Sequence, residues 1–394
     1  MASAIEAITA LLALAGLAYL FLALWGARAY IRSIRQHAAG PSYTPDVTLL
    51  KPLKGVDARM YDGLASHCRQ AYPGRFEIVF GVQRLDDPAV AEVQRLQAEF
   101  PHIPIQLVEC GQRLGTSGKV SNLVQMLPAA RYEHLVIYDS DILVAPGYLS
   151  GVMRSFSSTG EKPVGMVTAP YIGRTGLGGR AVTVWAKLEA LGISTDFMPG
   201  VLTARMLERG IRFGLGSTLA VTRTALMKAG GLEPLVEYLA DDYEMGQRIA
   251  AAGYRVELCG EVVETTVPAY DLKGFWDHQM RWSRSTRDSR RMGYVGLGVT
   301  YCVPWALMTV LASGGALWSF TLLTLALLVR ISVALVVGVG VLRDDQVLRD
   351  LWLLPLRDLF GLLFWLWSFA GDTVVWRGDL FRLHEGRIAP VENS

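Results

Sequence analysis

The chain has 394 residues, of which 51% are hydrophobic and only 19% are charged, and its 38 basic and 36 acidic side chains leave a net charge of +2. A disordered chain is less hydrophobic, a nucleic-acid-binding domain usually has a clear basic excess, and a soluble globular domain carries about a quarter charged residues. Together with a mean hydropathy of +0.29, this composition predicts a membrane protein and excludes nucleic acid as its partner.

The first predicted element is a membrane-spanning helix over residues 7–27, a run without a charged side chain. At about 1.5 Å per residue, a helix of this length crosses a hydrocarbon core of about 30 Å. A cleaved signal peptide is the alternative, but its positive charges would precede the apolar run, whereas here Glu6 precedes it and arginines 28, 32 and 35 follow it. The positive-inside rule then puts the N-terminus outside and the next residues in the cytoplasm.

Residues 46–296 have ordinary polarity and form a second unit, between the anchor at 1–45 and a C-terminal membrane unit at 297–394. Hydrophobic runs alternate there with segments of helical spacing. The strands are predicted at 47–53, 76–82, 105–110, 134–138, 164–170 and 254–259, and helices at 88–100 and 119–127. This alternation predicts an α/β domain with a mostly parallel sheet, which binds ligands at the carboxyl ends of its strands.

The segment 111–120 resembles a phosphate-binding P-loop but lacks two of its features. Arg113 stands where the first glycine belongs, and Val120 follows Lys119 where that motif has Ser or Thr. An NTPase is thereby excluded. Lys119 is still a candidate phosphate contact, with a solvated lysine at a helix start as the alternative.

Two carboxylates, Asp139 and Asp141, directly follow the strand at 134–138. A tight turn can present both to one hard cation, and Mg²⁺ or Mn²⁺ bound in this way takes phosphate oxygens as further ligands. The alternative is that both residues cap a turn, which is frequent for an isolated Asp-x-Asp sequence. The pair therefore predicts a metal and nucleotide site only in combination with other motifs.

A second acidic pair, Asp241 and Asp242, precedes a segment with helical spacing. Free backbone N–H groups and the helix macrodipole stabilise carboxylates at such a position, so helix capping is one explanation. A carboxylate at the rim of the sheet can instead accept the proton of an attacking hydroxyl, as a general base. One aspartate suffices for a cap, so capping alone does not explain two.

A basic segment from His278 to Arg291 precedes the second apolar region. A juxtamembrane helix attracted to anionic lipid accounts for most of its arginines. It does not require the neighbouring pair Arg281 and Trp282. A planar guanidinium can hold a diphosphate while an indole packs against an acceptor, which is the functional interpretation of this pair.

The apolar run at 299–342 contains Arg330 as its one charge, and as a single helix it would be about twice as long as a membrane is thick. It predicts two spans that reverse at 313–316, where the residues are small. The later apolar run at 359–371 is shorter, which favours a re-entrant or interfacial segment followed by a cytoplasmic tail.

Together these motifs resemble the ceramide glucosyltransferases, family 21 of the glycosyltransferases, and their bacterial relatives that add sugars to hopanoid lipids. The similarity covers about residues 47–383 and is carried by the motifs at 50–55, 82–89, 119–123, 139–141, 240–243, 281–282, 376–377 and 382–383. It implies a GT-A fold, a UDP-sugar donor, a divalent metal and inversion at the anomeric carbon.

The resemblance also implies roles for individual residues. It makes Asp242, beside Asp241, the catalytic base, and Asp141 with Asp139 the metal ligands. It places the nucleotide sugar against a larger set, in which the Asp86-Asp87 segment looks like the uridine site: Lys51, Pro52, Asp86, Asp87, Lys119, Asn122, Asp139 and Arg281.

Arg281 and Trp282 match the last two positions of a (Gln or Arg)-x-x-Arg-Trp motif of the family, and the chain departs from the family pattern twice. His278 stands where the motif has Gln or Arg, and Asp241 stands where the ceramide enzymes usually have Glu. Both departures look closer to the bacterial, hopanoid-associated branch, so the acceptor stays open between a ceramide, a hopanoid polyol and a diacylglycerol.

The predicted function is the transfer of a hexose from UDP-glucose or UDP-N-acetylglucosamine to a membrane lipid. The predicted location is the bacterial inner membrane, with several spans and a cytoplasmic catalytic domain. A processive polysaccharide synthase uses the same donor chemistry, but three or four membrane segments are few for its channel. A membrane scaffold that binds nucleotide without turnover is the third hypothesis.

Overall fold

The computed structural model describes residues 2–38, 42–56, 59–176, 181–376 and 378–391. The strands are β1 Val47–Pro52, β2 Phe76–Val82, β3 Ile105–Glu109, β4 His134–Ile137, β5 Val164–Thr168, β6 Tyr171–Arg174, β7 Leu219–Thr222, β8 Arg255–Leu258, β9 Val263–Thr266, β10 Thr373–Trp376, β11 Asp379–His384 and β12 Arg387–Pro390. The α-helices are α1 Ala2–Ala38, α2 Met60–Cys68, α3 Ala89–Glu99, α4 Gly118–Met126, α5 Tyr148–Phe156, α6 Val184–Gly192, α7 Met198–Leu207, α8 Arg223–Lys228, α9 Asp241–Ala251, α10 Leu272–Ser289, α11 Arg291–Thr300, α12 Cys302–Ala312, α13 Leu317–Val333, α14 Gln346–Asp350 and α15 Leu354–Ser368.

A seven-stranded sheet, in the order β3-β2-β1-β4-β7-β5-β8, forms the centre of the domain. Strand β1 pairs in parallel with β2 and β4, so that Leu50 lies opposite both Val79 and Ile137. Strand β7 is antiparallel to its two neighbours. The predicted α/β class and mostly parallel sheet are confirmed, whereas the antiparallel strand β7 was not foreseen.

The inner strands are buried on both faces, because helices cover the sheet from either side. Leu50, Val79 and Ile137 face the layer that includes α4, and Leu49 and Phe80 face the layer that includes α2, α3 and α5. Strands covered in this way are apolar at nearly every position rather than at alternate ones. This is why the strands at 47–53, 76–82 and 134–138 could be located from sequence to within two residues.

Helix α1 is longer than the predicted span and packs along the rest of the protein. Gly16 lies against α12, where a Cβ would come within 2.9 Å of the Cys302 Cα, and Gly26 lies against α7, where a Cβ would come within 2.8 Å of the Leu202 carbonyl oxygen. Near its C-terminal end, the Tyr30 hydroxyl donates to the carbonyl of Cys259, just after β8. Helix α1 therefore contacts the chain directly after strand β8 of the seven-stranded sheet.

The predicted reversal at 313–316 is confirmed. Helix α12 ends at Ala312 and α13 begins at Leu317, and Gly314 and Gly315 have positive φ angles of 66° and 81°, which favour glycine. The first arm of this hairpin differs from a straight span, because α11 and α12 meet at an angle of 54°. Pro304 explains the break, since it has no N–H group for the carbonyl of residue 300.

The re-entrant or interfacial segment expected at 359–371 is replaced by a longer helical element. A helical stretch over Gln346–Ser368 is long and apolar enough to cross a membrane, as are Ala4–Gln36 and Leu317–Val341. In the sequence, Arg357 and Asp358 directly precede the apolar run at 359–371 and limit its length. In the structure both side chains are buried, and Asp358 accepts hydrogen bonds from Arg330 of α13, so the charges lie inside the helical bundle.

Strands β10, β11 and β12 form a small antiparallel sheet after the last membrane helix. It packs on the loop before α9: Leu239 donates its N–H to the Gly386 carbonyl, and Ile388 donates to the Glu237 carbonyl. Leu239 is buried among Phe381, Leu383 and other apolar residues of the small sheet. The chain's C-terminal residues therefore support the loop that leads into Asp241 and Asp242.

Replacing Gly16 by Leu should destabilise the protein by about 1–3 kcal/mol, the usual effect of overpacking a closely packed contact. Thermal unfolding of the detergent-solubilised protein measures this change. Ala18→Leu, on the exposed side of the same helix, is the matched control and should leave the unfolding temperature nearly unchanged. Equal effects of the two substitutions would contradict close packing of α1 on α12.

Candidate functional site

The acidic turn after β4 lies at the edge of the sheet, and Lys51 of β1 stabilises it by hydrogen bonds to its backbone. The Lys51 side chain is fully buried, and its Nζ donates to the carbonyls of Asp139 at 3.1 Å and Ser140 at 3.5 Å. Burial lowers the pKa of Lys51 to about 7, although the charges of Asp141 and Asp139 oppose this shift. Lys51 thus supports the turn, and its contact with a nucleotide stays a prediction.

Asp139 and Asp141 have different surroundings although they are two residues apart. Asp139 is 44% exposed at its side chain and lies 2.9 Å from Lys119 Nζ. Asp141 is held in place by β9, because its Oδ2 accepts from Thr265 Oγ1 at 2.5 Å and from the Thr266 N–H at 3.3 Å. Burial, and then the charge of Asp139, raise the pKa of Asp141.

Helix α9 begins with the second acidic pair, as its sequence predicted. Asp242 Oδ1 accepts from the N–H of Tyr243 at 2.8 Å, and burial, followed by the charge of Asp241, raises the pKa of Asp242 to about 6. A Cβ on Gly216 would lie 3.2 Å from Asp242 Oδ2 and 3.5 Å from Asp139 Oδ2. Glycine at 216 therefore leaves open the space between the two acidic motifs.

Lys119, on the first turn of α4, joins the two motifs electrostatically. Its Nζ lies 2.9 Å from Asp139 Oδ1 and 3.2 Å from Asp241 Oδ2, and its side chain is only 15% exposed. Burial alone would lower the pKa of Lys119, but Asp139 and Asp241 together raise it. The solvated lysine considered from sequence is therefore wrong, and Lys119 is a buried cation shared by two carboxylates.

The loop before α4 is held in place by the loop before α9. The Thr116 hydroxyl donates to Glu237 Oε2 at 2.5 Å, and the Ser117 N–H donates to the Val236 carbonyl at 2.7 Å. Ser117 also caps α4, since its side chain accepts from the N–H of Val120. These contacts direct Lys119 toward Asp241.

The remaining residues predicted to bind nucleotide divide into two groups. Pro52 and Asn122 line the same cavity as the acidic pairs. Asp86 and Asp87 are absent from that lining: Asp86 pairs with Arg84 at an exposed position, and Asp87 accepts from the N–H of Gly55 at 3.0 Å. The structure does not bring the Asp86-Asp87 segment to the acidic centre, and its uridine contact stays a prediction.

Helix α10 presents His278, Arg281 and Trp282 on one side, because positions three and four apart lie on the same face of a helix. His278 Nδ1 lies 2.9 Å from Glu189 Oε2, and the His278 ring lies 4.8 Å from that of Trp282. All three residues line the cavity. Burial raises the pKa of Tyr171, and the charge of Arg281 opposes only part of this shift.

Arg284 and Arg287 of α10, and Arg290 directly after it, have partners within the protein, while their attraction to anionic lipid stays a prediction. Arg284 donates to the carbonyl of Thr373. Arg287 donates to the carbonyl of Ser368, at the C-terminal end of α15, and to that of Gly371 at 2.8 Å. Arg290 pairs with Glu208. These contacts join the motif-bearing helix to the last membrane helix and to the residues that follow it.

The cavity has a volume of about 1240 Å³ and connects the acidic centre to the membrane helices. Its lining beyond the predicted residues includes Glu189, Asp196, Tyr301, Arg330 and Arg357. One of these could have been recognised from sequence, since Arg330 is the one charge in the apolar run at 299–342. Intramembrane charges of this kind usually have a function.

The acidic turn can form part of a divalent cation site. Mg²⁺ and Mn²⁺ sites that act on nucleotides often use one or two carboxylates and take their other ligands from phosphate and water. Asp139 and Asp141 both line the cavity and supply two carboxylates on one turn. Within the described residues, no group of three or more His, Cys, Asp or Glu is placed to hold a metal without such added ligands.

The sequence profile of the family described as "Glycosyl transferase family 21" matches residues 8–389. Ceramide glucosyltransferase 1 of Caenorhabditis elegans is 26% identical over 248 residues, which are 62% of this chain and 51% of that protein. Ceramide glucosyltransferase of Komagataella phaffii is 32% identical over 114 residues, which are 28% of this chain and 22% of that protein. The chain thus spans about half the length, or less, of these relatives.

A solved structure with a similar fold is a mannosyltransferase from Pyrobaculum calidifontis, in complex with GDP-Man and Mn²⁺. It aligns over 93% of this chain and 97% of that chain, with a TM-score of 0.51 and 19% identity. At this identity the likeness shows the fold alone. It confirms the predicted GT-A architecture with membrane helices at both ends.

Replacing Lys119 by Met should destabilise the protein by about 1–3 kcal/mol, because Asp241, only 13% exposed, would lose its cation, whereas Asp139, 44% exposed, is partly screened by solvent. Unfolding of the purified protein in detergent measures the loss. Lys273→Met is the matched control, since Lys273 pairs with Asp277 at the surface, where an ion pair contributes less than about 1 kcal/mol. A Lys119 variant as stable as this control would contradict the shared-cation description.

Proposed function

Because the chain belongs to glycosyl transferase family 21, we propose that it is a membrane glycosyltransferase that transfers a hexose from a UDP-sugar to the hydroxyl of a lipid acceptor. Its activity is most like that of a ceramide glucosyltransferase. The observation that carries this proposal is the cavity, which joins the acidic centre at the sheet edge to the membrane helices. A soluble acceptor would not need such a connection.

Asp242 acts as the general base in this proposal. It removes the proton of the lipid hydroxyl, the oxygen attacks the anomeric carbon, and the bond between that carbon and the diphosphate breaks with its electron pair leaving on UDP. A single displacement of this kind inverts the anomeric configuration. A pKa raised to about 6 supports the role, because a base works best when its pKa lies near the working pH.

The negative charge that develops on the leaving diphosphate is met by Arg281 and Lys119, which line the same cavity. A divalent cation held by Asp139 and Asp141 would supply further Lewis-acid stabilisation of that charge. Asp241 lies next to the proposed base, and its negative charge partly neutralises Lys119 at 3.2 Å. Stabilisation of developing charge is usually the largest single contribution to such catalysis.

The lipid acceptor reaches this centre from the side of the membrane. Large apolar side chains are exposed along the helices that can cross a bilayer, including Phe21 and Trp25 of α1 and Leu325 and Leu328 of α13. A surface of this kind is covered by lipid in a membrane protein. We propose that the catalytic domain lies on the cytoplasmic side of a bacterial inner membrane, and the arginines after the first span favour the cytoplasmic side.

The purified protein, supplied with Mn²⁺ and either UDP-glucose or UDP-N-acetylglucosamine, should release UDP and form glycolipid when a lipid alcohol is added. Ceramide, a hopanoid polyol and a diacylglycerol are the acceptors to compare, with mass spectrometry of the product. Long polymer made from the UDP-sugar alone would instead show a polysaccharide synthase. UDP binding without transfer to any of these lipids would show a non-catalytic scaffold.

Asp242→Asn should lower the turnover number by about 10²–10⁴, the usual contribution of a general base, and should leave UDP binding nearly unchanged. The initial rate of glycolipid formation and the affinity for UDP measure the two effects. Asp62→Asn, at an exposed position paired with Arg59, is the matched control and should retain normal turnover. If the Asp242 variant keeps most of its activity, the base assignment is wrong.

Gly216→Ala should lower glycolipid formation about tenfold or more, because its methyl group would fill the space between Asp242 and Asp139, and small misplacements of reacting groups are costly. The measurement is the initial rate together with the thermal unfolding temperature, which should change little. Gly147→Ala is the control, since a Cβ at Gly147 would have no neighbour within 4 Å. Normal rates in both variants would contradict a reaction centre at this position.

A further inference from the structure

Four charged side chains form a buried cluster where α13, α15 and the segment after α6 meet: Asp196, Arg330, Arg357 and Asp358. Arg330 Nη2 donates to Asp358 Oδ1 and to Asp196 Oδ1, each at 2.7 Å. Arg330 Nη1 donates to the carbonyl of Thr195 at 2.9 Å. Two cations and two anions balance the charge, so the cluster is neutral in an apolar surrounding.

Arg330 and Asp358 are saturated by these contacts, whereas Arg357 and Asp196 are not. Arg357 is 9% exposed, and its Nε lies 3.2 Å from Asp196 Oδ2. The alignment is not that of a hydrogen bond. Arg357 Nε and Nη1, and Asp196 Oδ2, are buried and have no hydrogen-bond partner among the described residues. Two donors and one acceptor therefore lack a hydrogen bond that a ligand could supply, although Arg357 Nε and Asp196 Oδ2 attract each other as an ion pair.

The Arg357 guanidinium is packed against a glycine that leaves no room for a side chain. A Cβ on Gly192 would lie 2.2 Å from Arg357 Nε and 2.7 Å from Nη2. The helical segment that follows, Ile193–Phe197, has π-helical geometry. Such insertions often occur at functional sites, and this one carries Asp196.

The cluster lies on the wall of the cavity that holds the acidic centre. Asp196, Arg330, Arg357 and Asp358 all line it. Phe197, the residue after Asp196, connects the cluster to the motif on α10. Its ring lies 6.4 Å from the ring of Trp282 and 5.6 Å from that of Tyr171. The residues whose polar atoms lack a hydrogen bond, Arg357 and Asp196, thus line the same cavity as Asp242, the proposed base.

We propose that Arg357 and Asp196 bind a second polar group of the lipid acceptor, an amide or a hydroxyl close to the hydroxyl that receives the sugar. This inference rests on the proposed function and adds the acceptor's chemistry to it. An amide or a hydroxyl presents both an acceptor for the Arg357 donors and a donor for Asp196 Oδ2. A lipid with a single hydroxyl would leave these buried groups unsatisfied, which is unfavourable.

The experiment compares three acceptors with the full-length enzyme in detergent: N-octanoylsphingosine, which has an amide and a second hydroxyl, 1,2-hexadecanediol, which has a second hydroxyl, and 1-hexadecanol, which has neither. The wild type should prefer the first or the second to 1-hexadecanol by about tenfold or more in kcat/KM, the effect expected for a buried polar group left unsatisfied. An equal preference for both lipids would show that a second hydroxyl is sufficient for recognition.

Arg357→Gln should reduce this preference to less than about threefold by lowering kcat/KM for the preferred lipid and leaving 1-hexadecanol nearly unchanged. Gly192→Ala, which displaces the guanidinium without removing it, should reduce the preference in the same direction. Arg174→Gln is the matched control, since Arg174 pairs with Glu264 and Asp345 outside the cavity lining, and it should keep the wild-type preference.

A structural role of the cluster predicts a different result, because a destabilised enzyme loses activity toward all three acceptors by the same factor. An equal loss in Arg357→Gln, or a wild type that does not distinguish the acceptors, would overturn the inference and leave the proposed function intact. No transfer to any lipid by the wild type would overturn both. Thermal unfolding of each variant separates misfolding from altered recognition.

Discussion

The shared cation Lys119 is the interaction on which the arrangement of the acidic centre depends. It stands on α4 and lies within 3.2 Å of carboxylates from two other parts of the chain, Asp139 after β4 and Asp241 at the start of α9. Without a cation between them, the half-exposed Asp139 and the largely buried Asp241 would repel each other, and Asp241 would be costly to desolvate. The charge of Lys119 therefore offsets these two carboxylates beside Asp242, whose pKa is raised by burial and by the charge of Asp241.

The same requirement applies at the membrane end of the cavity, where Arg330 neutralises Asp358 and Asp196. Each cluster has its cation in contact with two carboxylates. They differ in which ion-paired atoms have no hydrogen bond among the described residues: Asp241 Oδ2 near the acidic centre, and Asp196 Oδ2 with two Arg357 nitrogens near the membrane. A cavity with buried, unsatisfied polar atoms at both ends is suited to a ligand that has a polar group at each of these positions.

Much of the fold followed from the sequence because its strands are continuous apolar runs and its acidic motifs stand at strand or helix ends. The strand at 76–82 was predicted with its observed bounds, and Asp139, Asp141, Asp241 and Asp242 were brought into one cavity. Local patterns carry this information, since a parallel strand buried on both faces and a carboxylate at its end are each visible within about ten residues.

What the sequence could not supply were contacts between distant segments. Arg357 and Asp358 look like interruptions of an apolar run until Arg330 and Asp196 are placed beside them. From its sequence Lys119 resembles a surface lysine, because the hydrogen bond that joins its loop to Glu237, in the loop before α9, links distant segments. The small sheet β10–β12 has no apolar pattern strong enough to predict it, and its pairing with the loop before α9 depends on Leu239 and Gly386, far apart in the chain.

Helix α10 contacts both the cavity that holds the acidic centre and the last membrane helix, α15. Its inner face places Arg281 and Trp282 in the cavity, and Arg287, one or two turns further on, binds the carbonyl end of α15. The same α15 carries Arg357 and Asp358. A rigid helix that contacts both the reaction centre and the helix bearing the polar cluster fixes the separation between them, so an acceptor held by the cluster would meet the base at a defined distance. In the proposed function, attachment to the membrane and alignment of the acceptor would therefore both depend on the packing of α10.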